Sequence, residues 1–346
     1  MTGGPGRTAR IETPVTRLLG CDLPIVQAGM SWASSNSALP LAVSNAGGLG
    51  VIGAGPMRLP DLDRAITEVA AGTEAAGRPY AVNLPLYRKG VDDVMDLLLA
   101  KRPPVLIASQ GGTRRYLPRF RDTGTLCLHV VASEEHAAKA VEAGVDGLVV
   151  VGAEAGGHPP PGLVSTLVTV RAVARRFPET PIIASGGFAD GAGLAAALSL
   201  GAGAAQFGTR FLASAESNVH PAYKEAVLAA GTGDTRTVGR DLGVIRVLAN
   251  DFADRMAELE NTGTDLERRR AEFTASTLRH AAVDGDVTGG KVELGQSAGL
   301  VDAILPAARI VEQIVAEYAA TLGRLPEVRP ADDRPAHTAA TPLPAW

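Results

Sequence analysis

The segment Glu154-Ala155-Gly156-Gly157-His158-Pro159-Pro160-Pro161-Gly162 sets one histidine behind two glycines and ahead of three prolines. The glycines lower the bulk around the imidazole, and the prolines stiffen the chain beyond it. A histidine held this way can exchange protons near neutral pH, so His158 is the candidate acid–base residue. The plainer alternative is a loop histidine that caps a turn. The other five histidines, His129, His136, His220, His280 and His337, lack such company. No two histidines stand at ligand spacing with carboxylates, so no protein-bound metal is expected.

Two further segments could hold a phosphate. Ile182-Ile183-Ala184-Ser185-Gly186-Gly187 closes an apolar run with two glycines, and Gln206-Phe207-Gly208-Thr209 closes another. Glycines let backbone N–H groups approach phosphate oxygens, and Thr209 adds a hydroxyl, so no lysine is required. Plain turns would look similar. Asn83, in Ala81-Val82-Asn83-Leu84, offers an amide that donates and accepts, and it reads equally well as a satisfied turn residue. Gly48-Leu49-Gly50-Val51-Ile52-Gly53 has dinucleotide-fingerprint spacing, but it follows a helix-like stretch instead of opening one. It is read as a helix-to-strand turn.

These residues need a scaffold, and the apolar runs supply one. Pro24–Ala28, Leu49–Gly53, Tyr80–Leu84, Val105–Ser109, Leu126–Ala132, Gly147–Val151, Ile182–Ser185 and Ala204–Phe207 are short and do not alternate. That is the pattern of parallel strands buried on both faces. Helical patterns fill the gaps at Leu39–Ala46, Leu62–Ala76, Val91–Leu99, Ser133–Ala143, Thr166–Phe177 and Gly193–Leu200, with Gly111–Arg121 the weakest. Eight strand–helix units predict a (β/α)8 TIM barrel, in which loops after strands six to eight lie on the catalytic face. From Ser217 to Gly290 no clean buried strand is visible. Helices are predicted at Pro221–Ala230, Asp251–Glu260 and Asp265–His280, giving a small helical insertion after strand 8, and Ala298–Leu322 reads as one long closing helix. The expected organisation is a barrel over 14–214, the insertion or lid over 215–290, a returning helix within 291–324 and a mobile tail over 325–346. The first dozen residues are expected to fray.

Composition narrows the function classes. The 346 residues carry a net charge of −4 with 4% aromatics, which argues against nucleic-acid partners and base-stacking platforms. No run reaches the roughly 18–20 apolar residues of a membrane span, and the N-terminus shows no signal-peptide pattern. A cytoplasmic location is expected. Cys21 and Cys127 form no C-x-x-C, so neither a disulfide framework nor a thiolate metal site is predicted.

Taken in order, the motifs resemble those of a known family. Pro24-Ile25-Val26-Gln27-Ala28-Gly29-Met30, Ser44-Asn45-Ala46-Gly47-Gly48-Leu49-Gly50, Ala81-Val82-Asn83, Glu154 to His158, Gly186-Gly187, Gln206 to Thr209 and Gly295-Gln296-Ser297-Ala298-Gly299-Leu300 carry the likeness. The sequence resembles the nitronate monooxygenase family, formerly 2-nitropropane dioxygenase, which includes FabK-type flavin-dependent enoyl-ACP reductases. The likeness runs from about Pro24 to Leu322, and E-A-G-G-H is its most specific part. It implies non-covalently bound FMN. The backbone around Gln27 to Met30, Gly29 included, would lie along the flavin ring, and Asn83 and Gly156 would touch it. Gly186, Gly187, Gln206, Phe207, Gly208 and Thr209 would hold the cofactor around its phosphate, with His158 as the active-site acid–base.

The implied activity is oxidation of alkyl nitronates with O2 to a carbonyl compound and nitrite. An NAD(P)H-dependent enoyl-thioester reductase, or a related acyl-thioester desaturase, is the alternative. A homodimer is compatible with either. Val151, Pro159-Pro160 and Gly29 depart from the family pattern, and Val130-Val131-Ala132-Ser133 is the more reductase-like segment. Arg240 and Arg246 read as ordinary solvated charges. A phosphate-binding barrel without redox chemistry is a third reading. Lys89, Lys101, Lys139, Lys224 and Lys291 all fall outside strand ends, which leaves it no Schiff-base lysine.

Overall fold

The computed structural model describes residues 9–326; residues 1–8 and 327–346, where fraying and most of the tail were expected, lie outside the described residues. Eight parallel strands form the sheet: β1 (Ile25–Gln27), β2 (Gly50–Gly53), β3 (Tyr80–Pro85), β4 (Val105–Ser109), β5 (Leu126–Val131), β6 (Gly147–Val151), β7 (Ile182–Ser185) and β8 (Ala204–Phe207). The strand order is β1-β8-β7-β6-β5-β4-β3-β2. The ends meet through one bridge, Val26 to Leu49, with Gln27 N donating to Leu49 O at 3.0 Å and Leu49 N to Ile25 O at 2.9 Å. The barrel is therefore nearly closed. All eight strands fall where the apolar runs place them.

The seam between β1 and β2 explains Gln27. Its side chain is fully buried. Oε1 accepts from Val51 N at 2.9 Å, and Nε2 donates to Val51 O at 3.2 Å. A glutamine amide presents one acceptor and a donor pair, as a peptide does, so it extends the ladder that three-residue β1 is too short to complete.

Strand pleating sorts the rest. Side chains of a strand alternate faces. Val26, Ala81, Val105, Ile107, Leu128, Val149, Ile183 and Ala204 point into the barrel and form its inner core, plugged below by Val15 and Leu19 of helix Pro14–Leu19. Leu106 and Ala108, or Ala205 and Phe207, point outward under the helices. Residues two beyond the inner layer, namely Asn83, Ser109, Ser185 and Gln206, therefore crown the barrel at its C-terminal end.

The insertion corrects the all-helical expectation. It contains helices Pro221–Ala229, Asp251–Asn261, Leu266–Ala275 and Leu278–Ala282, and also an antiparallel hairpin of β9 (Thr235–Val238) and β10 (Ile245–Leu248). Only the second strand is well buried, and Arg246 sits at its centre, so neither strand stands out as an apolar run. The single helix expected over Asp265–His280 breaks at Ser276, because Thr277 caps a new one by accepting from His280 N. The long closing helix also splits. Gln296–Leu300 is a 3-10 turn, and helix Ala307–Leu322 starts after Pro306. The weak segment Gly111–Arg121 reduces to a 3-10 turn, Thr113–Arg115, and helix Leu117–Phe120. Among the described residues no helix is long and apolar enough to cross a membrane.

Candidate active site

A cavity of about 720 Å³ opens at the C-terminal end of the strands, walled by the barrel loops on one side and the insertion on the other. Gly29, Met30, Asn83, Gly156, His158, Gly186, Gly187, Gln206, Gly208 and Thr209 all border it. Gln27 and Phe207 do not. Gln27 is committed to the β1–β2 seam, and Phe207 packs edge-on against Phe188 and Phe211 outside the barrel. Each sits one residue out of phase with the crown, and a shift of one residue in a strand turns a side chain to the other face.

The crown is polar. Asn83 Nδ2 donates to Ile107 O at 3.0 Å, which leaves its carbonyl oxygen unengaged among the described residues. Gly29 must be glycine because a Cβ there would collide with Asn83 Cβ. Gln206 Nε2 donates to Ser185 Oγ at 2.8 Å. Ser109 and Ser185 border the cavity too, although nothing in their local sequence singles them out.

The loops after β7 and β8 form a cradle of free donors. Gly186 and Gly187 have φ of 108° and 85°, a left-handed region that glycine enters without strain. Among the described residues no acceptor engages the N–H of Gly186, Gly187 or Gly208. A Cβ on Gly208 would meet only Ala28 Cβ and Met30 Sδ, both at 3.8 Å. Protein packing therefore does not demand glycine there, and the space faces the cavity. Thr209 Oγ1 accepts from Gly295 N at 2.9 Å, so its own proton remains to donate. Unpaired donors on glycine backbone suit an anion with several oxygens.

The loop bearing His158 is fastened at several points. Glu154 Oε2 accepts from Thr166 N at 2.8 Å and Thr166 Oγ1 at 2.6 Å, at the start of helix Thr166–Arg176. Gln296 N donates to Glu154 O at 3.0 Å. A Cβ on Gly156 would lie 2.5 Å from the backbone carbon of Leu294. Gly157, at φ 68°, exchanges backbone hydrogen bonds with Arg246 of β10, at 3.1 and 2.6 Å. The two glycines of E-A-G-G-H thus have separate causes: close backbone packing at Gly156, positive φ at Gly157.

Arg246 corrects the expectation of a solvated charge. It is buried, with Nε and Nη2 donating to Ala153 O at 3.1 and 2.9 Å and Nη1 to Thr235 Oγ1 at 2.9 Å. The hairpin clamps the loop that carries His158.

The opposite wall carries ionisable groups that the sequence reading passed over. Crowding by the cavity walls, and then the charge of Lys291, hold the His158 pKa below its ordinary value. Lys291 Nζ lies 3.5 Å from the centre of the Phe273 ring, and burial lowers its pKa to about 8. Glu293 is pushed up to about 7 by burial, partly offset by Lys291. Tyr223, fully buried, donates to Glu293 O at 2.7 Å. A signal did exist: Lys291 and Glu293 alternate with buried Val292 and Leu294, the mark of a half-buried extended segment.

Similarity to known proteins agrees with this geometry. The sequence profile of the nitronate monooxygenase family matches residues 12–99 and 87–317. The chain belongs to the nitronate monooxygenase family. It is an oxidoreductase, as the resemblance implied. A 5-hydroxy-7a-methyl-1-oxo-octahydro-1H-indene-4-carboxyl-CoA dehydrogenase of Mycobacterium tuberculosis is 31% identical, over 88% of this chain and 96% of that protein. A nitronate monooxygenase of Paraburkholderia phytofirmans is 29% identical, over 94% and 99%. The solved structure of FabK from Thermotoga maritima superposes with a TM-score of 0.84 and 40% identity, covering 91% of this chain and 98% of that one. These barrels support the fold expected from strand spacing. In this family context Gly295-Gln296-Ser297-Ala298-Gly299 is no hydrolase elbow. Ser297 lies in a 3-10 turn, not on a strand-to-helix corner.

Proposed function

We propose that the chain is an FMN-dependent oxidoreductase of acyl thioesters, exchanging electrons with NAD(P)H. The observation that carries this reading is the division of one cavity into two unlike walls. One wall carries a cradle of backbone N–H groups; the other, built by the insertion and the segment after it, brings Phe273, Leu278, Lys291 and Glu293 to the same space. At about 720 Å³ it lies in the upper part of the roughly 300–1,000 Å³ range of small-molecule sites, with room for cofactor and substrate together. The relative named as a CoA dehydrogenase and the FabK structure support a thioester.

The residues fit FMN. The free N–H groups of Gly186, Gly187 and Gly208 and the Thr209 hydroxyl would hold its phosphate, while Asn83, Gly29 and Met30 would border its ring. When bound, FMN supplies hydride and single-electron chemistry. The protein supplies position and protons. His158, whose lowered pKa favours the neutral ring, can hydrogen-bond the thioester carbonyl or accept a proton beside it. The crown of Asn83, Ser109, Ser185 and Gln206 orients polar edges, and Phe273 and Leu278 exclude water from the acyl chain.

A second reading, oxidation of alkyl nitronates with O2, is favoured by the nitronate monooxygenase relatives and by the same neutral histidine. Anaerobic spectra separate the two. Bleaching of the yellow band by NADH or NADPH, with reoxidation by an enoyl-CoA, is the expected result. Bleaching by an alkyl nitronate alone, with nitrite released in air, overturns the thioester reading. A colourless protein that cannot be reconstituted with FMN overturns both.

A further inference from the structure

Glu293 stands on the cavity wall with no hydrogen bond or ion pair engaging its carboxyl among the described residues. Its Oε2 lies 3.0 Å from where a Cβ on Gly157 would stand, directly against the residue that precedes His158. The backbone beneath it is held on two sides. Tyr223 Oη donates to Glu293 O at 2.7 Å, and Leu248 N donates to the adjacent Val292 O at 2.8 Å. A carboxyl carried on backbone held this firmly, and left without a protein partner in a ligand cavity, is arranged for something that enters the cavity.

We propose that Glu293 is a second acid–base residue of this site, moving the proton at the carbon next to the substrate's thioester carbonyl while His158 binds that carbonyl. The proposal rests on the thioester reading. In the dehydrogenation direction the carboxylate takes the proton of the Cα–H bond. The electron pair of that bond would become the Cα–Cβ π bond, and the Cβ hydrogen would leave with its pair, for which a bound flavin would be the two-electron acceptor, so the substrate would lose two electrons and two hydrogens. Reduction runs the same exchange backward, with NAD(P)H as the source of the hydride and Glu293 returning the proton.

Glu293 shares the cavity with ionisable groups from several elements. Lys291 shares its segment, His158 lies on the loop after β6, Tyr87 follows β3, Tyr223 is on helix Pro221–Ala229, and Arg279 is on helix Leu278–Ala282. Arg246, on β10, is turned away toward Ala153 and Thr235. Lys291 is the charge that favours the ionised carboxyl, whereas burial opposes ionisation and pushes it up to about 7. An acid–base group works best when its pKa lies near the working pH, because it can then run in both directions.

The test uses purified holoenzyme. Glu293→Gln is expected to retain flavin and to lower kcat on acyl-CoA about 10²-fold with KM little changed, with loss of the pH limb near 7. Glu293→Asp is expected to restore that limb, and Lys291→Met to move it to higher pH. Independently of turnover, infrared difference spectra between pH 5 and 9 should show a carboxylic C=O band that Glu293→Gln removes. Wild-type kcat and an unchanged pH profile in Glu293→Gln would overturn the proposal and leave the thioester reading standing. No thioester turnover by the wild type, with nitrite release from nitronates, would overturn both. Failure of Glu293→Gln to hold flavin, with no recovery of the limb in Glu293→Asp, would also overturn the proposal.

Discussion

The two walls of the cavity are built on opposite principles. The cradle after β7 and β8 works through backbone N–H groups, and its chemistry needs the absence of side chains at Gly186, Gly187 and Gly208. The insertion wall works through side chains whose ionisation is displaced by burial: Lys291 is held to about 8 and Glu293 is pushed up to about 7. A backbone cradle is insensitive to pH and specific for a charge pattern. A wall of perturbed ionisable groups is tuned by its surroundings and can change without disturbing the cradle. On the proposed function, the task of holding a cofactor and the task of handling a substrate are therefore physically separate in this fold, with His158 on the same cavity.

The largest effect should come from charging the cradle. Gly208→Glu would place a carboxylate near the expected phosphate. At an effective dielectric of about 20 and a separation of about 4 Å that repulsion is roughly 4 kcal/mol, close to 10³-fold in affinity. Protein that purifies with full flavin content would break the assignment. His158→Ala is expected to keep flavin and slow turnover by about 10²–10⁴-fold. An unchanged rate would make the histidine structural and move the chemistry onto the insertion wall.

Gln27→Met tests the seam. It leaves the buried Val51 N–H and C=O short of partners and should cost about 2–4 kcal/mol in stability. Flavin per folded molecule should not change, because Gln27 does not border the cavity. Loss of flavin with normal stability would return it to the site. Arg246→Met, which removes the guanidinium bonds to Ala153 O but keeps the backbone bonds to Gly157, should cost about 1–3 kcal/mol and reduce turnover more than flavin content. Equal loss of both would show that the walls are not separable.

The smallest effect is a pH dependence of stability. Glu293 is raised from 4.5 to about 7 on folding, so the folded state binds more protons across that window. It therefore loses stability as pH rises from about 4.5 to 7. His158, held low, acts in the opposite sense below 6.5. The difference in melting temperature between wild type and Glu293→Gln isolates the carboxyl. A difference independent of pH would mean that burial does not perturb it.

Legibility followed the same division. Strands were readable because burial on both faces forces short apolar runs, and the His158 loop because few residue types serve its purpose. The side chains of Gln27 and Phe207 do not border the cavity, and a motif does not reveal which way the pleat turns each side chain. The hairpin of β9 and β10 was missed because its exposed strand is polar and its buried strand carries Arg246. Lys291 and Glu293 are ordinary surface residue types, and only their neighbours make them unusual.

The amino-acid order alone determined the barrel, the glycine cradle and the single histidine, since each depends on local pattern or on a side chain's absence. Tertiary structure alone decided which crown residues face the cavity, that Arg246 clamps the His158 loop, and that a lysine and a glutamate more than 130 residues from His158 share its cavity. The physical reason is that burial, which displaces their ionisation, belongs to the packed assembly and to no segment of the chain.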